Sequence, residues 1–266
     1  MQITLNPTPI AVYQMGKVGS ETIVTSLQKS KSIAPIYHVH ILAHKNINIA
    51  LNNYQQKQQP LTLQLENSKI LREYLDRHDR PSLNIITAVR EPISQFISAF
   101  FQNIEFSHPH LLDSQGNGRR DAIYNFLTNR LSNYKAGTAW NCNWFDNDFN
   151  PALGMDVYQY DFDRNIGYKK INFQNLNILI LQLENSKLWN KYIADFLGLS
   201  NSFTLDKTNL SKDKKYYQIY QDVLQNIKIP IVVLEEIYRC KYCQHFYSKQ
   251  AIESFIQRWS QQVNKI

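Results

Sequence analysis

Glycine, lysine and hydroxyl side chains follow the first apolar segment of the chain. Residues 10–14 predict a buried strand and residues 20–28 predict a helix. The connection between them and the first turn of the helix read Gly16-Lys17-Val18-Gly19-Ser20-Glu21-Thr22. Glycines let backbone N–H groups turn towards an anion, and a helix N-terminus adds a partial positive charge. With the charge of Lys17 and the hydroxyls of Ser20 and Thr22, the segment predicts a phosphate site, although an ordinary strand–helix turn has the same glycine spacing.

This segment differs from a Walker A loop. That motif, G-x-x-x-x-G-K-[ST], places its lysine after the second glycine. Here Lys17 precedes Gly19.

A second candidate anion site follows the most apolar predicted strand, residues 84–89. Arg90 comes directly after it, and Pro92 begins the next predicted helix, where a missing N–H costs little. Ser98 lies about two helical turns further on. An arginine fork binds phosphate through two hydrogen bonds, and a serine hydroxyl can complete the site. A solvated pair between Arg90 and Glu91 or another carboxylate is the simpler alternative.

Two histidines alternate along the second predicted strand, residues 35–42. His38 and His40 therefore point to the same face of the sheet. Imidazole titrates close to neutral pH, so either ring could act as a general base. A pair of hydrogen-bonded structural histidines is the alternative.

The elements that must position these residues predict an α/β fold. Strands that are apolar on both faces alternate with helices, which indicates a central parallel sheet flanked by helices. In such sheets, ligands bind beyond the carboxyl ends of the strands. We expect a single domain over residues 1–266, with irregular structure or short strands at 137–170. The other predicted elements are a strand at 176–183 and helices at 65–77, 92–101, 121–134, 185–197, 212–226, 231–238 and 249–263.

Composition narrows the classes of partner. The net charge of +7 and the pI near 9.1 favour an anionic ligand. The lysines are dispersed except in the segment 212–215, and no basic stripe with interleaved aromatic residues indicates nucleic-acid binding. No signal peptide and no stretch of about 20 apolar residues is visible, so we expect a cytoplasmic protein without an integral membrane segment.

Cysteine usage agrees with a reducing compartment. Cys142, Cys240 and Cys243 are too few for a disulfide framework. The Cys240-x-x-Cys243 pair with His245 lacks the second ligand pair of a structural zinc site. We therefore expect no metal site.

In order along the chain, the two anion motifs resemble those of the sulfotransferases that use PAPS (3′-phosphoadenosine 5′-phosphosulfate). Their 5′-phosphosulfate loop, K-x-G-[ST]-[ST]-x-[LI], is matched by Lys17, Gly19, Ser20 and Ile23, whereas Glu21 departs from it. Their 3′-phosphate motif is matched by Arg90, Pro92 and Ser98.

The C-terminal half resembles a bacterial sulfotransferase-like group of capsular polysaccharide synthesis proteins. The similar stretches are Trp144-Phe145, Gly154-Met-Asp156-Val-Tyr158, Tyr160-Asp-Phe162-Asp163, Gly167-Tyr168 and His245-Phe246-Tyr247-Ser248. These resemblances imply the P-loop-like sulfotransferase fold, PAPS as donor, PAP as product and no metal requirement.

The resemblance also implies roles for individual residues. The His-x-His spacing is similar to that of sulfotransferases acting on uronic acids, which favours His40 over His38 as the base. Lys17 would stabilise the leaving oxygen, the amides near Gly19 would bind the 5′-phosphate, and Arg90 with Ser98 would bind the 3′-phosphate. Lys212 could close over the nucleotide, or belong to a solvated lysine run.

The acceptor that we prefer is a carbohydrate hydroxyl, with a lipid, a small metabolite or a tyrosine left open. A nucleotide kinase and a non-catalytic nucleotide- or glycan-binding module are the alternative functions. The oligomeric state is not predicted.

Overall fold

The described residues of the computed structural model form two compact units. They are residues 7–30, 34–79, 81–137, 139–200, 203–206 and 215–260. An α/β unit comprises Met1–Val89 with Trp144–Thr208, and a helical unit comprises Arg90–Asn143 with Asn209–Ile266. The single domain expected from the sequence stays a prediction.

A five-stranded sheet forms the core of the α/β unit. The strand order is β2-β1-β3-β5-β4, and only β4 is antiparallel to its neighbour. A mostly parallel central sheet flanked by helices is thus confirmed. The strands are β1 (Ile10–Tyr13), β2 (Ile36–Val39), β3 (Leu83–Val89), β4 (Tyr168–Phe173) and β5 (Leu176–Gln182).

Helices occupy most of the remaining described chain. No helix within the described ranges is both long and apolar enough to cross a bilayer. In chain order they are α1 (Ser20–Lys29), α2 (His44–Gln56), α3 (Leu63–Leu75), α4 (Pro92–Ser107), α5 (Arg120–Ser132), α6 (Trp140–Trp144), α7 (Asn150–Leu153), α8 (Trp189–Leu197), α9 (Tyr217–Asn226), α10 (Ile231–Tyr238), α11 (Lys241–Phe246) and α12 (Lys249–Trp259).

The segment expected to hold irregular structure or short strands, residues 137–170, is largely helical. It holds α6, a π-helical turn at Phe145–Phe149, α7 and the start of β4. Strand β4 pairs with β5 through a tight turn at Gln174, whose φ of 53° is left-handed. The prediction missed β4 because its lysines and asparagine lack the continuous apolar run of a central strand, and β4 lies at the edge of the sheet.

In the helical unit, a buried carboxylate fixes the start of α4. Glu91 accepts hydrogen bonds from the backbone N–H groups of Ile93 (2.8 Å) and Ser94 (2.7 Å), and from the Tyr238 hydroxyl (2.6 Å). Only 1% of Glu91 is exposed, so its carboxylate is a helix cap rather than part of a solvated surface pair. The capped helix runs to Ser107, six residues beyond its predicted end.

Candidate functional site

The loop after β1 turns through several left-handed residues. Left-handed φ angles occur at Gly16 (86°), Lys17 (60°) and Gly19 (95°). Such angles are unusual for a lysine, because the Cβ atom crowds the backbone there. Gly19 is the N-cap of α1 and, having no side chain, makes no capping hydrogen bond. The first N–H groups of α1 therefore receive no cap from this position and could serve an anion.

The other predicted residues of this loop lie at the start of α1. Val18 and Ser20 are buried, Thr22 is half-buried and Glu21 is exposed. The Glu21 carboxylate lies 3.7 Å from Nδ1 of His38. The residue that departs from the sulfotransferase pattern thus contacts a histidine of the same candidate site.

Gly19 is required by packing as well as by its backbone angle. A Cβ atom at this position would lie 3.0 Å from the Trp189 ring and 3.3 Å from Leu183 Cδ1. The loop therefore lies so close to the first residue of α8 that an added Cβ atom would require its neighbours to move by a few tenths of an ångström.

His40 lies beside this loop in a defined tautomer. Its Nδ1 is 2.8 Å from the backbone carbonyl oxygen of Gln14, which can only accept a hydrogen bond. Nδ1 therefore carries the proton of the neutral ring, and Nε2 keeps a lone pair. The His40 ring is also 3.9 Å from the position that a Cβ atom would take at Gly16. The Trp144 indole donates to the His40 carbonyl at 2.9 Å and fixes its backbone.

The two histidine rings are neighbours, as their alternation predicted. Their centroids are 4.8 Å apart at an interplanar angle of 75°. Burial lowers the pKa of His40, while the Gln14 hydrogen bond and the Glu21 charge act in the opposite direction. Burial and then the charge of His40 lower the pKa of His38 to about 4. Both rings are therefore neutral at pH 7, the state that a general base needs.

Buried polar atoms without a described partner concentrate here. The Gln14 side chain is fully buried, and neither its amide nitrogen nor its amide oxygen has a hydrogen-bond partner among the described residues. The Nε2 atom of His38 is also buried and has no hydrogen-bond partner among the described residues. Each such atom costs about 1–3 kcal/mol, so clusters of them are typical of functional sites rather than of passive cores.

A fully buried carboxylate, which sequence reasoning did not identify, ties the strand ends together. Asp148 accepts hydrogen bonds from the Tyr13 hydroxyl, the Leu42 N–H (2.7 Å) and the Asn46 amide (2.6 Å). Burial raises its pKa, whereas these hydrogen bonds lower it. Asp148 lies in the π-helical turn, and such turns occur frequently at functional sites.

Aromatic rings surround this carboxylate. Tyr13 packs against Trp144 at a centroid distance of 4.9 Å and against Phe149 at 5.2 Å. Trp144, Phe145 and Phe149 are fully buried, so these aromatic residues belong to the core. The only sequence signal for Asp148 was its place inside this aromatic run.

The remaining predicted site residues belong to the helical unit or lie outside the description. The Tyr242 hydroxyl accepts from the Arg90 N–H and donates to the Arg90 carbonyl oxygen, both at 2.9 Å, so the backbone of Arg90 is held firmly. Ser98 is half-buried in α4. Lys212 lies outside the described residues. A nucleotide site shared by Lys17 and Arg90 stays a prediction.

The three cysteines are free thiols in the helical unit. Hydrogen bonds from Cys142 and Cys243 lower the pKa of Cys240, and the bond to Cys240 raises the pKa of Cys142. In the part of the chain that the structure describes, no group of three or more His, Cys, Asp or Glu side chains could hold a metal ion. The expectation that no metal is required stays a prediction.

The chain is thus an α/β protein in which a loop with left-handed residues lies beside two neutral histidines. Residues 125–248 match the model of a family described as "Putative capsular polysaccharide synthesis protein". The match supports the resemblance of the C-terminal half to the capsular group. It does not include the segment from Gly16 to Ser98, which carries the sulfotransferase motifs. No curated protein and no solved structure matches the chain.

Proposed function

We propose that this chain transfers a sulfuryl group from PAPS to a hydroxyl of a carbohydrate. The observation that carries the proposal is the hydrogen bond between Nδ1 of His40 and the Gln14 carbonyl oxygen. It fixes a neutral imidazole, with its basic nitrogen available, beside a loop built for an anion.

The residues of the loop fit a 5′-phosphosulfate. The uncapped N-terminus of α1 offers backbone N–H groups, and Gly19 leaves no Cβ atom in the turn. Lys17 supplies a full positive charge in the same loop. Arg90 and Ser98 would hold the 3′-phosphate that distinguishes PAPS from ATP, and Lys212 would lie over the nucleotide.

When bound, PAPS supplies the sulfuryl group, whose bond to the phosphate oxygen breaks as the bond to the acceptor oxygen forms. Nε2 of His40 takes the proton of the acceptor hydroxyl. The Lys17 ammonium and the amides of α1 stabilise the negative charge left on the phosphate oxygen. The His38 ring is neutral near pH 7 because its pKa is about 4, and it therefore does not compete with His40 for the proton of the acceptor hydroxyl.

A carbohydrate acceptor is supported by the family match, since the family's name refers to polysaccharide synthesis. A non-catalytic binding module with this fold would retain the anion loop but would have no need of a basic imidazole beside it.

Calorimetric titration with PAP, ATP and AMP, each with Mg²⁺ and with EDTA, tests the donor. We expect PAP to bind in EDTA and Lys17→Gln to weaken that binding. Lys45→Gln, which removes an exposed charge on α2, is the matched control and should have no effect. ATP binding that requires Mg²⁺, with no PAP binding in EDTA, would refute the proposal in favour of a kinase.

A transfer assay with radiolabelled PAPS and oligosaccharide acceptors tests the chemistry. In this assay Lys17→Gln should lose about 10²–10³-fold in rate. PAP binding without any transfer to a panel of neutral and acidic oligosaccharides would favour a binding module.

A further inference from the structure

The helical unit contains a cavity of about 420 Å³, a volume within the range of small-ligand pockets. It is bordered by α4, by α5 with the segment that follows it, and by α6. Its lining residues are Gln95, Phe96, Ala99, Arg130, Asn133, Tyr134, Lys135, Ala139, Trp140 and Asn141. None of them has a role in the proposed sulfuryl transfer.

The lining is positively charged. Arg130 and Lys135 contribute two cations, and no carboxylate belongs to the lining formed by the described residues. Arg130 is exposed and has no ion-pair partner among the side chains that the structure describes. A cavity with this charge favours an anion and disfavours a cationic ligand.

Aromatic rings form part of the wall, and their hydrogen bonds hold them in place. The Tyr134 hydroxyl donates to the side-chain oxygen of Asn141, whose amide donates to the Pro92 carbonyl oxygen at 3.0 Å. Phe96 meets the Tyr134 ring edge to face at a centroid distance of 5.8 Å. This wall is therefore formed before a ligand arrives, which lowers the entropic cost of binding.

Trp140 gives the cavity an exposed aromatic surface. It is 41% exposed, whereas Trp144, Trp189 and Trp259 are fully buried. An exposed indole next to two cations presents an apolar face for C–H groups and leaves its N–H for a polar partner. The Asn133 amide nitrogen already donates to the backbone and side-chain oxygens of Asn129, so its side-chain oxygen is the group that can accept from a ring hydroxyl.

We propose that this cavity binds an acidic saccharide. The indole face of Trp140 packs against the C–H face of a sugar ring, and Arg130 with Lys135 pairs with its carboxylate or sulfate group. Binding of the saccharide in this cavity does not depend on the proposed sulfuryl transfer. Only the identification of the bound saccharide as the acceptor of the sulfuryl group rests on that proposed function.

The test uses tetragalacturonate as the acidic probe and maltotetraose as the neutral probe, titrated by calorimetry and by tryptophan fluorescence without any nucleotide. We expect tetragalacturonate to bind at least tenfold more tightly than maltotetraose, with an affinity that falls as salt rises. Trp140→Ala and Arg130→Gln should each weaken tetragalacturonate binding about tenfold or more, since each removes a hydrogen-bonding, charged or stacking partner.

Two matched controls lie on the same unit outside the cavity. Phe106→Ala removes an aromatic ring that is 80% exposed on α4, and Lys249→Gln removes an exposed charge at the start of α12. Both should leave the affinity unchanged. Equal losses in controls and cavity variants, or equal affinity for the two probes, would overturn the proposal.

Competition separates this proposal from its rivals. If PAP or ATP displaces tetragalacturonate and Trp140→Ala weakens the nucleotide equally, the cavity is a nucleotide site and the proposal fails. Tetragalacturonate binding in a protein that does not bind PAP supports the cavity proposal and refutes the sulfuryl donor. PAP binding that depends on Lys17, without any saccharide binding, refutes the cavity proposal and leaves the donor intact.

Discussion

Replacing Gly19 by alanine tests the geometry of the anion loop directly. The new Cβ atom would lie 3.0 Å from the Trp189 ring, a distance shorter than nine in ten real Cβ contacts, at a φ of 95°. The left-handed backbone costs a residue with a Cβ atom about 1–2 kcal/mol. Overpacking against a fixed ring adds about 1–3 kcal/mol. Gly19→Ala should therefore lower the free energy of unfolding by about 2–5 kcal/mol.

Gly198→Ala separates the two contributions. Gly198 ends α8 with a φ of 64°, and nothing lies within 4 Å of an added Cβ atom. Gly198→Ala should lower the free energy of unfolding only by the cost of a left-handed backbone, about 1–2 kcal/mol. Urea unfolding followed by circular dichroism measures both variants, and calorimetry should show that Gly19→Ala weakens PAP whereas Gly198→Ala does not.

A double-mutant cycle identifies the atom that clashes. Trp189→Phe removes the outer ring atoms that the new Cβ atom would meet, and it also loses the indole hydrogen bond to the Gln182 carbonyl oxygen at 3.0 Å. In the Trp189→Phe background, Gly19→Ala should lower the free energy of unfolding by about 1–3 kcal/mol less than it does in the original chain, because the overpacking is relieved. Additive effects, or a Gly19→Ala loss no larger than that of Gly198→Ala, would refute the packing argument.

Further predictions concern the histidines and their supports. Because the pKa of His38 is about 4 in the folded chain and about 6.5 in the unfolded chain, the unfolded state takes up the proton first as pH falls. The free energy of unfolding should decline from pH 6.5 to 4, and His38→Asn should flatten this decline in urea titrations; an unchanged slope would contradict the assignment. His40→Ala should lower turnover by about 10²–10⁴ at unchanged PAP affinity, and should remove the rise of rate with pH; a destabilised but fully active protein would exclude His40 as the base. Trp144→Phe removes the donor to the His40 carbonyl, so kcat should fall while PAP affinity holds, unlike a purely structural loss. Arg90→Ala should weaken PAP by about 1.5–3 kcal/mol more than it weakens adenosine 5′-phosphosulfate, and equal losses would show that Arg90 does not bind the 3′-phosphate.

Local patterns were sufficient for the elements whose signals lie within a few residues. The apolar run of β3, the glycines before α1 and the alternation of His38 and His40 each depend on neighbours in sequence, and the structure agrees with all three. Helix α10 has its predicted bounds, Ile231–Tyr238.

Contacts between distant residues could not be predicted in the same way. Asp148 reaches Tyr13 across 135 positions, and Tyr242 reaches Arg90 across 152, so no local spacing indicates either pair. The sequence of residues 45–60 is ambiguous between a helix and a surface loop, because α2 buries only Ile47 and so has almost no apolar face to recognise. The cavity beside Trp140 likewise combines residues of α4 with residues 31–46 positions later.

The route of the chain through its two units determines whether the segment matched by the family model could fold alone. The chain passes from one unit to the other after Val89, after Asn143 and after Thr208. The family match, residues 125–248, therefore cuts through both units. It includes β5 but not β3, with which β5 pairs along all seven of its residues. A gene fragment encoding only this segment would produce a strand with an open edge, prone to aggregate. The matched stretch is thus not a compact unit of this fold, and we expect that it would not fold when expressed alone.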